Sequence, residues 1–361
     1  MAEITLSHVT KAFSPEVIAV DDLSIKINDG EFLVLLGPSG CGKTTTLRMI
    51  AGLETQTSGD IRIGDRLVNS LRPGERDIAF VFQFYALYPH LSVRDNIAFP
   101  LKAQNLPQVE VERRVQDVAR RLRIEHLLRQ SPGRLPGGEQ QRVALGRAMV
   151  RQPQVFLMDE PLTNLDASLR ADMRVELKAL QSDLGTTMVY VTHDQVEAMS
   201  MSHRIAVMDR GVLQQIDTPL NVYQKPATLF VATFIGSPPM NIINGTVENG
   251  GLIADGGYKS PLPANTGSHV VNGQAVVFGV RAENVAIAED ATLRGEILTR
   301  EPLGDETIYV VKAAGHNITL KTNPRVRHKP GETIGIRFDL AHSHLFDAAG
   351  GRRIEAEAAH V

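Results

Sequence analysis

Four short, uninterrupted apolar runs stand out along the chain: Phe32 to Leu36, Ile78 to Phe82, Val155 to Met158 and Met188 to Val191. Runs of this length, bounded by polar or turn residues, read as strands buried on both faces. The stretches between them carry the helical period. Val111, Val115, Val118 and Leu122 share one face of a charged amphipathic helix, and Leu169, Met173, Leu177 and Leu180 share a face of another. Thr44 to Ala51 reads as a helix closed by Gly52, and Ser92 with Asp95 resembles a capping box that opens a short helix. Residues 3 to 30 alternate short β-like runs with turn residues, ending in the turn Asn28-Asp29-Gly30. Strands alternating with helices predict an α/β domain on a mainly parallel sheet.

The pattern changes after about residue 236. Gly236-Ser237-Pro238-Pro239 punctuates the chain, and glycine-rich, strand-length segments follow, with Ile334, Ile336 and Phe338 alternating in one of them. This predicts a separate, smaller all-β domain over 236–361 behind an α/β domain over 1–235. The basic run Arg325 to Lys329 is short enough to read as a solvated loop. No internal repeat or low-complexity tract is evident.

Candidate chemistry sits where the apolar runs end. Gly37-Pro38-Ser39-Gly40-Cys41-Gly42-Lys43-Thr44 follows the first run and opens the first helix, which is the strand, loop and helix order of a phosphate-binding loop. Glycines let successive N–H groups turn inward and the helix N-terminus adds positive partial charge. Lys43 reaches β- and γ-phosphates, and the Thr44 hydroxyl suits Mg²⁺. Asp159 and Glu160 follow the third run, at the edge where open α/β sheets bind ligands; Asp159 suits Mg²⁺ and Glu160 suits polarising an attacking water. Gln83 and His193 end two further runs. Each alone also reads as a polar strand end or a neighbour of a helix start.

Composition narrows the partners. The 361 residues suffice for about two domains. A net charge of −3, 5% aromatic residues and no Trp argue against a soluble nucleic-acid ATPase, whose β domain needs basic strands interleaved with aromatics. The single cysteine, Cys41, lies inside the loop and suits a reducing compartment. The first residues carry no basic apolar leader, and no stretch has the roughly 18 apolar residues of a membrane span, so a membrane role is expected to run through partners.

The order of phosphate loop, Gln83, Leu135-Pro136-Gly137-Gly138-Glu139-Gln140-Gln141-Arg142, Asp159-Glu160, Asn164-Leu165-Asp166 and His193 resembles that of ATP-binding-cassette (ABC) ATPases. Val81 to His90 and Phe278 to Glu283 are similar to the carbohydrate-importer ATPases of the maltose-importer type. The resemblance implies an ATPase domain with a helical subdomain at about 84–150 and an OB-like regulatory domain that pairs across a homodimer. It implies ATP and Mg²⁺ as cofactors, held by the loop including Thr45, with Phe13 on adenine and Thr44, Gln83 and Asp159 toward the metal. In the second copy Leu135, Pro136, Gly137, Gly138 and Glu139 complete each site. Glu160 is then the base, Asp166 links the two sites, Gln83 senses the γ-phosphate and His193 is the switch. A groove near Ala86, Leu87, Tyr88 and Pro89 receives two membrane permease subunits on the cytoplasmic face of the inner membrane, served indirectly by an extracytoplasmic solute-binding protein, with no nucleic-acid partner. Two departures weigh on this: Pro136 stands where the family usually has Ser, removing a hydroxyl and an N–H donor, and Glu139 stands where Gln is commoner. The alternative that Pro136 suggests is a regulatory nucleotide switch with weak turnover.

Overall fold

The computed structural model describes residues 2–263, 266 and 270–354, and the chain divides into two compact units, 1–219 and 220–361. In the first unit the strands are β1 (Ile4–Ser14), β2 (Val17–Ile27), β3 (Phe32–Leu36), β4 (Ser58–Ile63), β5 (Arg66–Leu67), β6 (Ile78–Val81), β7 (Val155–Asp159), β8 (Thr187–Thr192), β9 (Arg204–Asp209) and β10 (Val212–Asp217). The helices are α1 (Lys43–Ala51), α2 (Val93–Ala103), α3 (Gln108–Arg121), α4 (Gly137–Met149), α5 (Ala167–Leu184) and α6 (Gln195–Met201).

Two sheets share the unit. The six-stranded sheet runs β10-β9-β3-β8-β7-β6, parallel except for the β9–β10 hairpin, and β2-β1-β4-β5 forms an antiparallel sheet. Every residue of β3, β7 and β8 is buried, which explains why those strands read as continuous apolar runs rather than alternating ones. One core joins the sheets through Ile4, Val9, Leu23 and Ile61 on one side and Leu35, Leu157 and Val189 on the other.

Helix boundaries follow local chemistry. Gly52 closes α1 in the left-handed conformation, and the buried Arg76 guanidinium donates to the α1 carbonyls of Met49 and Ile50 at 2.7 and 2.9 Å. A cation on orphan C-terminal carbonyls also complements the helix dipole. Ser92 caps α2 by accepting from the Asp95 N–H at 3.0 Å. The reciprocal half of the expected capping box differs: the Asp95 carboxylate accepts from the Ser92 hydroxyl at 2.7 Å. Val111, Val115, Val118 and Leu122 are buried as the period requires. On α5, Met173 and Leu177 are buried while Leu169 and Leu180 are half-buried.

The second unit begins with the short helices α7 (Pro219–Gln224) and α8 (Leu229–Phe234), the first residue of α7 closing the first unit. Its strands are β11 (Asn241–Glu248), β12 (Gly251–Ala254), β13 (Lys259–Pro261), β14 (Ala275–Val280), β15 (Val285–Ile287), β16 (Leu293–Pro302), β17 (Thr307–Ala313), β18 (His316–Thr322), β19 (Thr333–Phe338) and β20 (Ser343–Asp347). They form two five-stranded antiparallel sheets, β13-β12-β11-β14-β20 and β15-β19-β16-β17-β18, around one apolar core that includes Phe278, Tyr309, Ile336 and Leu345. Ile334, Ile336 and Phe338 all point into it. The Arg325 to Lys329 run is a loop between β18 and β19, anchored where the Tyr309 hydroxyl donates to the Val326 carbonyl at 2.9 Å.

Asn241 ties the two sheets together. It is buried on β11, its amide nitrogen donates to the Thr319 carbonyl on β18 at 2.8 Å and its amide oxygen accepts from the Thr319 N–H at 2.7 Å. Asn241→Ala leaves two part-buried backbone groups of Thr319 without their side-chain partner, at up to about 1–3 kcal/mol each. Chemical denaturation of the full chain should show the second unit's transition moved to lower denaturant while ATP binding is retained; an unmoved transition contradicts this role.

Candidate functional site

The turn after β3 is held by close backbone approach. A Cβ on Gly37 would lie 2.2 Å from the Met208 carbonyl oxygen of β9, and one on Gly42 would lie 2.3 Å from the Ala19 carbonyl oxygen of β2. Gly40 and Gly42 also have φ of 81° and 103°, where L side chains are strained. Behind the loop, Cys41 accepts at its carbonyl from the Gly211 N–H at 3.0 Å, and burial pushes its thiol pKa up. The thiol is thus a small filler. Pro38 is half-buried while Ser39 and Gly40 are exposed at the rim. The Lys43 ammonium donates to the carbonyls of Gly37 and Pro38, both at 2.8 Å, so its charge is fixed against the loop. Thr44 and Thr45 are half-buried at the first turn of α1.

Parallel pairing brings the other candidates to the same edge. Leu36 of β3 is level with Thr192 of β8, Val191 with Asp159 of β7, and Met158 with Val81 of β6. The Thr44 hydroxyl donates to the Asp159 carboxylate at 2.9 Å across this edge. Burial raises the Asp159 pKa, opposed by the Thr44 hydrogen bond and by Arg48. Glu160 follows with φ 45°, a conformation unusual for a non-glycine residue, fixed by its N–H donating to the Val191 carbonyl at 3.1 Å. This bend carries its carboxylate to His193, with Oε2 to Nδ1 at 3.2 Å, and the Thr163 hydroxyl donates to the same oxygen at 3.2 Å. Gln83 lies two residues beyond β6, its carbonyl accepting from the Asn164 amide at 3.1 Å. Phe13 sits at the end of β1, 58% exposed, with the Lys11 ammonium 4.8 Å from its ring centre.

The Leu135 to Gln140 segment leads into α4, far along the chain from the phosphate loop. Pro136 is the N-cap, with φ −56° and no side-chain cap, and its carbonyl accepts from the N–H groups of Glu139 and Gln140, both at 3.0 Å. Gly137 and Gly138, the first two residues of the helix, thus present N–H groups with no intrahelical acceptor. Gly138 fits closely over α5, since a Cβ there would meet Leu169 at 2.7 Å. Leu135 is buried and its carbonyl accepts from the Gln140 amide at 2.9 Å; Glu139 is half-buried. Asp166 caps α5 by accepting from the Leu169 N–H at 3.0 Å and is otherwise exposed. Residues 84–90 form a surface turn in which Tyr85 and Ala86 have φ of 61° and 47°. Arg147 of α4 donates to their carbonyls at 2.8 and 2.6 Å, and Tyr88 packs on Phe99 of α2 at 4.6 Å between ring centres. Phe84 is exposed beside them.

A supporting layer beneath His193 was not legible in the sequence. Glu197 of α6 is buried and accepts from the Thr192 and Tyr190 hydroxyls at 2.7 and 2.8 Å, and the Asp194 N–H donates to the Thr192 hydroxyl at 3.0 Å. Arg170 of α5 pairs with Asp194 at 3.3 Å and donates to the Leu165 carbonyl at 3.2 Å, tying the His193 turn to the Asp166 turn. The spacing of a helix-start acid would have hinted at Glu197 only as a charge in a first turn.

The family model described as "ABC transporter" matches residues 20–163, "MalK OB fold domain" matches 236–285 and "TOBE domain" matches 278–346. The trehalose/maltose import ATP-binding protein MalK of Thermococcus litoralis is 50% identical over 98% of this chain and 100% of its own length. The sn-glycerol-3-phosphate import ATP-binding protein UgpC of Cupriavidus pinatubonensis is 46% identical over 99% of this chain and 100% of its own. Among solved structures, the dimeric ATP-binding cassette MJ0796 in a post-hydrolysis state with ADP and Pi superimposes with a TM-score of 0.54 and 31% identity over 60% of this chain and 98% of that one.

Burial raises the pKa of Glu197 despite its two hydroxyl donors. The shift favours the neutral form in the folded state, so its contribution to stability is full below the ordinary glutamate pKa and is lost as pH rises through the raised value. Glu197→Gln keeps both hydroxyl contacts and should lessen the loss of stability with rising pH. Glu197→Ala strands the Tyr190 hydroxyl at about 1–3 kcal/mol. Thermal denaturation from mildly acidic to neutral pH checks both; a Gln variant with the wild-type pH slope contradicts the assignment.

Proposed function

Because the chain belongs to the ATP-binding subunits of ABC transporters, we propose that it is the motor of an importer for a carbohydrate or related polyhydroxylated solute, working as a homodimer. One observation carries the catalytic part of this reading: the contact of Glu160 with His193 at 3.2 Å, on the sheet edge that also carries Lys43 and Thr44. A carboxylate there orients and deprotonates a water for in-line attack on the γ-phosphorus, and the imidazole donates to the γ-phosphate oxygens as charge develops. Lys43 and the loop N–H groups hold the β- and γ-phosphates.

The Thr44 hydroxyl and Asp159 carboxylate, 2.9 Å apart, form an all-oxygen donor pair that fits Mg²⁺, with the Gln83 amide oxygen as a further ligand. When bound, the ion neutralises phosphate charge; Asp159 meanwhile orients the Thr44 hydroxyl. Phe13, exposed on β1, supplies an aromatic face for adenine. In the dimer, the free N–H groups of Gly137 and Gly138 and the Asp166 turn of one copy complete the site of the other. MJ0796, a solved relative, is described as dimeric.

The docking surface for two membrane permeases is the turn at Ala86, Leu87, Tyr88 and Pro89, held from behind by Arg147 and flanked by exposed Phe84. Among the described residues no helix is long and apolar enough to cross a membrane; the subunit sits peripherally on the inner face and communicates with an extracytoplasmic solute-binding protein only through the permeases, without touching the solute. Relatives named for trehalose/maltose, xylose/arabinose and sn-glycerol-3-phosphate import support a polyhydroxylated cargo. The OB and TOBE segments then serve regulation and dimer contact.

Glu160→Gln should retain ATP binding and lower hydrolysis by about 10²-fold or more, the range of a positioned general base, leaving an ATP-bound dimer detectable by size-exclusion chromatography. Turnover at the wild-type rate rules this carboxylate out as the base. Pro136→Ser restores two donors, of which a hydrogen bond to a charged phosphate is worth about 1.5–3 kcal/mol, against a looser helix start. ATPase activity of the assembled transporter should rise several-fold. An unchanged or lower rate means that Gly137 and Gly138 suffice.

A further inference from the structure

The first unit holds a second cavity of about 260 Å³, walled by the end of α3, the middle of α4 and the C-terminal half of α5. Its floor is apolar: Leu145, Met173 and Leu177 are buried, and Leu180 is half-buried beside them. The volume falls below the roughly 300–1,000 Å³ of drug-sized sites and suits a small metabolite with one apolar group.

Charge at the mouth is particular in sign and place. Arg142 of α4 and Glu176 of α5 satisfy each other at 2.7 Å, and Arg121 faces Asp117 at 3.6 Å. That leaves Arg123 and Asp183, both exposed and neither with a side-chain partner among the described residues. Asp183 stands one residue before the end of α5, whose last turn carries no basic residue. A carboxylate there adds to the negative end of the helix dipole, where a cation is the favoured neighbour. Arg123 stands just past the C-cap of α3 with φ 56°, a position that glycine fills without strain. Both residues break a local rule without a compensating contact, which is where functional sites are to be sought.

We propose that this cavity binds a small zwitterionic α-amino acid with an apolar side chain. Arg123 takes the carboxylate, Asp183 and the end of α5 take the ammonium, and the side chain enters over Leu145, Met173 and Leu177. One positive and one negative group on the wall match one of each on the ligand. A simple anion would leave Asp183 unanswered, and a simple cation would leave Arg123 so. No lining residue belongs to the nucleotide edge, so the ligand is an effector and takes no part in hydrolysis.

Ligand-observed NMR titration of the full chain, saturated with ADP, with L-leucine, N-acetyl-L-leucine, isopentylamine and glycine tests this. Leucine should bind with a Kd near about 1 mM, its methyl groups showing the strongest saturation transfer. The other three lack the ammonium, the carboxylate or the apolar group in turn, and each should bind at least about fivefold more weakly. Asp183→Asn and Arg123→Gln should each weaken leucine binding by about fivefold, the upper range of one exposed charge pair. Both side chains are exposed, so the variants should fold as the parent does. Any of the other three compounds binding as tightly as leucine overturns the amino acid as the ligand. No binding of leucine, or binding that is unchanged in either variant, overturns the site.

Discussion

The nucleotide edge rests on a backbone that must pass almost in contact with two neighbouring strands. Gly37 runs beneath the Met208 carbonyl and Gly42 beneath the Ala19 carbonyl, and neither passage leaves room for a Cβ. The β9–β10 turn closes the frame, with Gly211 donating to the Cys41 carbonyl and accepting from the Asp21 N–H at 2.9 Å. Because the loop is clamped from both sheets, its backbone path is fixed by its neighbours rather than by a ligand. A backbone fixed in this way needs little reorganisation to present donors to developing charge. Lys43 needs that frame too, since its ammonium is fixed by the carbonyls of the loop it serves.

The proposed catalytic pair depends on the same sheet through register. Glu160 and His193 are 33 residues apart in sequence, yet β7 and β8 are paired in parallel so that Asp159 lies opposite Val191. The bend at Glu160 and the Glu197–Thr192 contact then turn two strand ends toward each other. Arg170 extends this layer to the turn before α5, so the residue that caps α5 and the turn that carries His193 are mechanically joined.

Much of this was readable from residues alone, for physical reasons. Fully buried strands carry uninterrupted apolar runs, so β3, β7 and β8 were evident, and the glycine spacing after β3 specified the loop because only glycine fits there. The long strands β1 and β2 were seen only as short pieces, since bulges between Leu6 and Val9 and between Lys11 and Ala12 break their alternation. Arg76 on the end of α1, Glu197 beneath His193 and Asn241 between the sheets were not legible. Each acts across a tertiary contact that leaves no periodic trace in sequence. Motif order assigned separate roles to Glu160 and His193, while neither their 3.2 Å contact nor the left-handed bend that produces it was read from the sequence.

The central claim is that one complete site needs the phosphate loop of one copy and the Gly137–Gly138 helix start of another. Mixing two inactive variants tests it directly: Lys43→Ala and Gly138→Asp placed in separate copies, against both placed in one copy and mixed with wild type, each measured as ATP hydrolysis by the isolated mixed dimer. The composite site predicts that separate placement leaves one intact site and measurable turnover, whereas placing both changes in one copy breaks both sites. Equal rates for the two arrangements would contradict it.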